Sequence, residues 1–248
     1  MKFKLLIINV LIIISYTIAC KKEPVQVAPT TQNLTLHFDN KVGQESIVLN
    51  TKKYSLPSGT GFWVGALRYY VSNVTLIKKD GATVEYPLHQ LIKTEDVATQ
   101  DVLLKAVPVG DYTQIQFHIG VDDKHNMTGA QTGDLDPLSG MFWTWNTGYI
   151  FFKHEGRFVK TDKTEEVLVH HYGNASAYVN IELTNQFSLT NAAKKATIAL
   201  DLNTLYSSPN IIDFNEDYSR QSLTKDDLDW VVRMKENLSM AFKVSKIE

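Results

Sequence analysis

From Leu34 onward the chain alternates. Leu34, Leu36 and Phe38 share one face of an extended segment, and Thr35, His37 and Asp39 share the other. Residues 67–77 are rich in strand formers, and Ser72-Asn73 marks a bulge where the alternation shifts. Asp80-Gly81 predicts a tight hairpin turn into residues 82–86. Residues 102–106 form a further short strand. Over 112–121, Ile115, Phe117, Ile119 and Val121 face one way, and Gln116 and His118 the other. Four more strands are expected over 148–155, 166–172, 177–183 and 195–201. So many short alternating strands spaced by turns predict an all-β fold, an antiparallel β-sandwich with Greek-key-like connections.

Residues 223–244 break the pattern. Leu228, Val231, Met234, Lys235, Leu238, Ala241 and Phe242 fall near one stripe at helical spacing. Thr224 serves as N-cap, and Asp226 and Asp227 in the first turn complement the helix dipole. The stripe predicts a C-terminal α-helix packed on the sandwich.

The N-terminus carries a different signal. Lys2 and Lys4 precede an apolar run over 5–14, and small or polar residues lead to Cys20, the one cysteine of the chain. That run is too short to span a bilayer and has the layout of a signal peptide. Thr17-Ile18-Ala19-Cys20 resembles a bacterial lipobox, with Thr17 at a position where Leu is usual. The expected organisation is a signal peptide over 1–19, a lipidated Cys20 with a tether over 20–32, and one domain over 33–248. This places the protein in the cell envelope, held to a membrane by lipid, on the periplasmic or outer-membrane surface. With Cys20 acylated, the domain has no thiol for disulfides or thiolate ligation.

Composition narrows the chemistry. At 248 residues and a net charge of −2, nothing points to nucleic acid. Gly-x-Ser-x-Gly, Walker A, His-Glu-x-x-His and Cys-x-x-Cys motifs are all missing, so no enzyme is expected. The seven histidines are the informative set. His37 and His118 lie on polar strand faces and are expected to be solvated; His89 is expected at the surface. His125 occupies a polar loop, 122–139, ahead of an aromatic block, and loops carry function disproportionately. That block, 141–156, reads MFWTWNTGYIFFKHEG and ends on His154 and a Glu-Gly turn. Trp143 and Trp145 share a face of an extended segment, either as core plugs or as a ring platform beside a ligand. His170 and His171 point to opposite faces, with His171 on the side of Val167 and Val169.

The order of these residues resembles a known family. Gly120-Val121-Asp122, His125-Asn126, residues 129–132, Leu135-Asp136-Pro137 and the run 140–150 are similar to the signature of MbnP-like copper-binding proteins. Residues 67–74 resemble that family's early strand, 38–43 its first strand and turn, and His171-Tyr172-Gly173 its later histidine element. The resemblance implies a secreted or lipid-anchored all-β domain linked to copper, with a di-haem peroxidase-like partner. In methanotroph relatives the metal, as Cu(I), is held by two histidines and a kynurenine made from tryptophan. Asn40 stands where a first-strand histidine is often found. His171 with His125 and His154 is the candidate ligand set, with Met127 and Met141 as further donors. Trp143 and Trp145 are the site-lining or modified aromatics. Neutral imidazoles suit copper, with zinc competing. The expected function is a non-enzymatic, lipid-anchored copper-binding protein; the alternative is a metal-free surface module for a peptide, glycan or protein partner.

Overall fold

The computed structural model describes residues 30–248; the expected signal peptide, Cys20 and most of the expected tether lie outside them. Fourteen strands follow in order: β1 (Thr31–Val42), β2 (Glu45–Ser46), β3 (Tyr54–Ser55), β4 (Gly61–Lys78), β5 (Thr83–Lys93), β6 (Asp101–Pro108), β7 (Gly110–Ile119), β8 (Phe142–Thr144), β9 (Gly148–Val159), β10 (Glu165–Gly173), β11 (Val179–Leu189), β12 (Lys194–Asp201), β13 (Ser219–Gln221) and β14 (Phe242–Ile247). Four α-helices join them: α1 (Asp123–Asn126), α2 (Leu202–Ser207), α3 (Phe214–Asp217) and α4 (Leu228–Ala241).

The strands form two sheets that face each other. The smaller runs β14-β12-β1-β2, with β6 also on β1; the larger runs β11-β7-β4-β9-β10-β13, with β3 and β5 also on β4. Phe38 of β1 meets Phe117 at 5.3 Å and Tyr69 at 6.2 Å between ring centres, both edge-on, which locates the inter-sheet core. The sandwich expectation holds with one correction. The sheets are mixed, because β1 pairs parallel with β12 and β10 pairs parallel with β13. A parallel pair needs a long crossover and not a hairpin, and alternation alone does not reveal it.

Two local predictions hold. At the 80–81 turn, Gly81 adopts φ 87° between β4 and β5, and at Ser72-Asn73 the ladder shifts register while Asn73 takes φ 49°. The helix is shorter than its pattern. Thr224 stands at the start of a 3-10 turn, Lys225–Asp227, without a side-chain capping bond, before α4 begins, and Phe242 already belongs to β14. Leu228 is exposed, whereas Trp230 turns inward with Val231, Met234, Leu238 and Ala241. Trp230 reaches the ring of Tyr172 in β10, while the body of α4 packs against α2 and β11.

β4 organises the larger sheet. One edge carries β5; the other carries β9 along Phe62–Tyr69 and β7 along Val71–Lys78. Where β7 and β9 part, the chain leaves at Gly120 and returns at Gly148 through the polar loop. That loop lies on the sheet's outer face. Tyr149 donates its hydroxyl to the Leu135 carbonyl at 2.6 Å, Tyr70 to that of Asp134 at 3.0 Å, and Arg68 donates to that of Ser139 at 2.9 Å. Leu135 and Met141 are buried beneath it.

Candidate metal centre

The bulge in β4 places Ser72 between two histidines. It is paired with His89 of β5 on one side and His118 of β7 on the other, so the three side chains form a row on one face. Asp122 follows at the start of the polar loop. It caps α1 by accepting from the backbone N–H of His125. The single turn of α1 brings the His125 ring back over its own cap.

His89 Nε2 lies 2.8 Å from Asp122 Oδ2, and His125 Nδ1 lies 2.8 Å from Oδ1 and 3.0 Å from Oδ2. The two imidazole rings are 4.5 Å apart between centres. One donor atom from each of the three residues lies within 4.8 Å of the others, and among the described residues this is the one group of three or more His, Cys, Asp or Glu side chains so placed. A carboxylate only accepts, so both facing ring nitrogens carry protons here. Moving each proton to its ring's other nitrogen leaves two ring lone pairs and a carboxylate oxygen within 4.8 Å of one another.

Electrostatics set the charge of each partner. Burial raises the affinity of the Asp122 carboxyl for its proton, but the hydrogen bond from His125 and the charges of His89 and His125 outweigh it and hold Asp122 at about 2. Burial pushes His89 below the ordinary imidazole value against the pull of Asp122. The site therefore offers an ionised carboxylate beside an imidazole that favours its neutral, ligating form. Asn73 supports the carboxylate at 3.5 Å and also donates to the Tyr178 hydroxyl at 3.0 Å. His118 stacks flat on Tyr178, centres 4.5 Å apart and planes 4° apart.

The sequence-based ligand set is not brought together. His125 joins this cluster, but His154 and His171 occupy opposite faces of the β9–β10 ladder. His154 is fully buried, with Nδ1 2.6 Å from the Tyr206 hydroxyl, and its cross-strand neighbour His170 also reaches that hydroxyl at 3.3 Å. His171 sits on the outer face, 2.7 Å from Glu155. The face of Val167 and Val169 is that outer face; Leu168, His170 and Tyr172 point to the core. Val167 is exposed on this side, and Trp230, Tyr206 and Phe214 fill the other.

The tryptophans also separate. Trp143 is half-buried with its ring over Gly173, where an added Cβ would come within 2.8 Å of it, and its indole N–H has no partner among the described residues. Trp145 is 77% exposed. Met141 is fully buried and Met127 exposed. Asn40 hydrogen-bonds Tyr69 and Thr94. His118 is half-buried and not simply solvated, while His37 pairs with Asp101 at the surface.

His89 is the residue that sequence reasoning missed. Its partner is thirty-three positions away in the chain. The available signal was the bulge at Ser72-Asn73, which aligns His89 opposite Ser72 once the 80–81 hairpin sets the register.

Comparison with known proteins fits this architecture. No curated protein matches the chain. MbnP from Methylosinus trichosporium has a similar solved structure, with a TM-score of 0.52 at 18% identity, covering 73% of this chain and 79% of that one. At that identity the likeness shows the fold. The MbnP family model matches residues 31–225. With most of its length covered by that match, the chain belongs to the MbnP family.

Proposed function

We propose that this chain is a lipid-anchored envelope protein that binds copper, and that His89, Asp122 and His125 hold the ion. The observation that carries this reading is the convergence of two imidazole nitrogens and one carboxylate oxygen within 4.8 Å. Family membership supports copper as the metal. Two nitrogens and a hard oxygen suit Cu(II) better than Cu(I), and Zn(II) competes for the same donors. The loop position leaves room for exchange with a partner, for which a di-haem peroxidase-like protein remains the proposal.

The test is titration of the metal-free full chain with Cu(II), followed by spectroscopy and metal analysis. Tight binding at one equivalent is expected, lost in His89→Ala/His125→Ala and kept in His171→Ala. Unchanged binding in the double variant overturns the assignment. A second reading, a metal-free module, is favoured by Trp145 and Leu138, 77% and 93% exposed on the same loop. It gains if the parent chain binds no copper.

A further inference from the structure

At the far end of β4 from the histidines lies a cleft with a different character. Gly61, which opens β4, is separated from Ser72 by about 36 Å of strand. The cleft has a volume of 630 Å³ between the 53–61 hairpin and the turn after β9. Lys53, Lys160 and Lys163 line it, with the hydroxyls of Ser58, Thr60 and Thr161, and no carboxylate does. Asp162, in the same turn, is turned to Thr164, accepting from its N–H at 2.9 Å and its hydroxyl at 2.6 Å.

A second chamber adjoins the cleft. This one measures 470 Å³ and shares Ser58, Thr60, Thr161 and Asn215 with the first. Its walls are mainly apolar, from Leu56, Pro57, Tyr206, Ile211 and Ile212. Its one carboxylate, Asp213, is engaged in capping α3 through the Asn215 N–H at 2.9 Å. Ile211 is 71% exposed at the chamber mouth although the walls around it are apolar. A lysine- and hydroxyl-lined cleft beside an apolar chamber presents two adjoining surfaces of different character.

We propose that this cleft binds an anionic amphiphile, its phosphate or carboxylate head among Lys53, Lys160 and Lys163 and its alkyl part against Leu56, Ile211 and Ile212. Three cations without a carboxylate among them select the anion. The hydroxyls of Ser58, Thr60 and Thr161 supply donors to its oxygens. The apolar chamber gains from each methylene that leaves water, about four-fold in affinity per buried group.

The full chain is titrated by calorimetry with inorganic phosphate, butyl phosphate and hexyl phosphate. Inorganic phosphate binds weakest, and hexyl phosphate binds about fifteen-fold tighter than butyl phosphate. Combining Lys53→Gln, Lys160→Gln and Lys163→Gln weakens all three at least ten-fold, while Ile211→Ser narrows the gap between the two esters. Unaltered melting and Cu(II) titration show that the variants stay folded and that the metal site is separate. Equal binding of hexyl and inorganic phosphate, no binding of any of the three, or full affinity in the lysine variant overturns the proposal.

Discussion

His89 and Asp122, thirty-three residues apart in the chain, meet at 2.8 Å across the outer face of the larger sheet. Neither is held by the other alone. The β4 bulge sets the position of His89, and the start of α1 sets that of Asp122. The carboxylate is thus fixed before any ion arrives, which reduces the ordering cost of binding.

Asp122→Asn keeps an N-cap but removes the charge. The dissociation constant for Cu(II) is expected to rise by about ten- to a hundred-fold, with little change in melting temperature. An equal constant in competition titration would remove Asp122 from the site.

Gly148 tests the loop's return. Its φ is 75°, and a Cβ would sit 2.3 Å from Asn126 Oδ1, which accepts the Tyr149 N–H at 2.8 Å. Gly148→Ala combines left-handed strain with a clash, and a loss of about 2–3 kcal/mol is expected. Because Asn126 adjoins His125, copper affinity falls with it. Denaturant melts and metal titration on one sample read both effects.

The inner histidines predict a pH profile. Burial pushes His170 down to about 4 and His154 to about 3, with the nearby His170 adding to the effect on His154. Unfolded, each titrates near 6.5 and takes up a proton that the folded chain refuses. Stability is therefore full above about pH 6.5 and falls as the pH drops from there towards 4 and 3. The limiting slope is about 1.4 kcal/mol per pH unit per histidine. His170→Asn should flatten the decline in melts between pH 7 and 5; a parent whose stability is flat across that range would contradict the account.

Asn237 predicts a purely structural loss. Fully buried in α4, it donates to the carbonyls of Leu205 at 2.8 Å and Asn210 at 2.7 Å, and accepts the Asn210 N–H at 2.9 Å. Asn237→Leu orphans those groups and should cost about 2–4 kcal/mol in chemical unfolding, with Cu(II) binding retained.

The strands, the bulge and the 80–81 turn were legible because each is set by neighbours in sequence. Alternation needs only residues two apart, and the turn only Gly81. What alternation withheld was which face is inside. Val167 and Val169 mark an apolar face, yet it is the other face that is buried, where His170 and Tyr172 meet α2 and α4, elements more than thirty residues further on. The same ignorance of long-range partners joined His171 and His154 in one ligand set and left His89 out. His125 was legible, being local to its loop and its cap.

β1 has a mechanical consequence. It lies between β12 on one side and β6 and β2 on the other, with parallel ladder partners from Leu34 to Lys41. If the chain is tethered through its N-terminus, tension enters at Thr31 along the strand axis. Such a load shears both ladders at once and cannot peel them apart one bond at a time. The domain's attachment point is thereby its force-bearing clamp, and the His125 loop on the opposite sheet stays outside the line of pull.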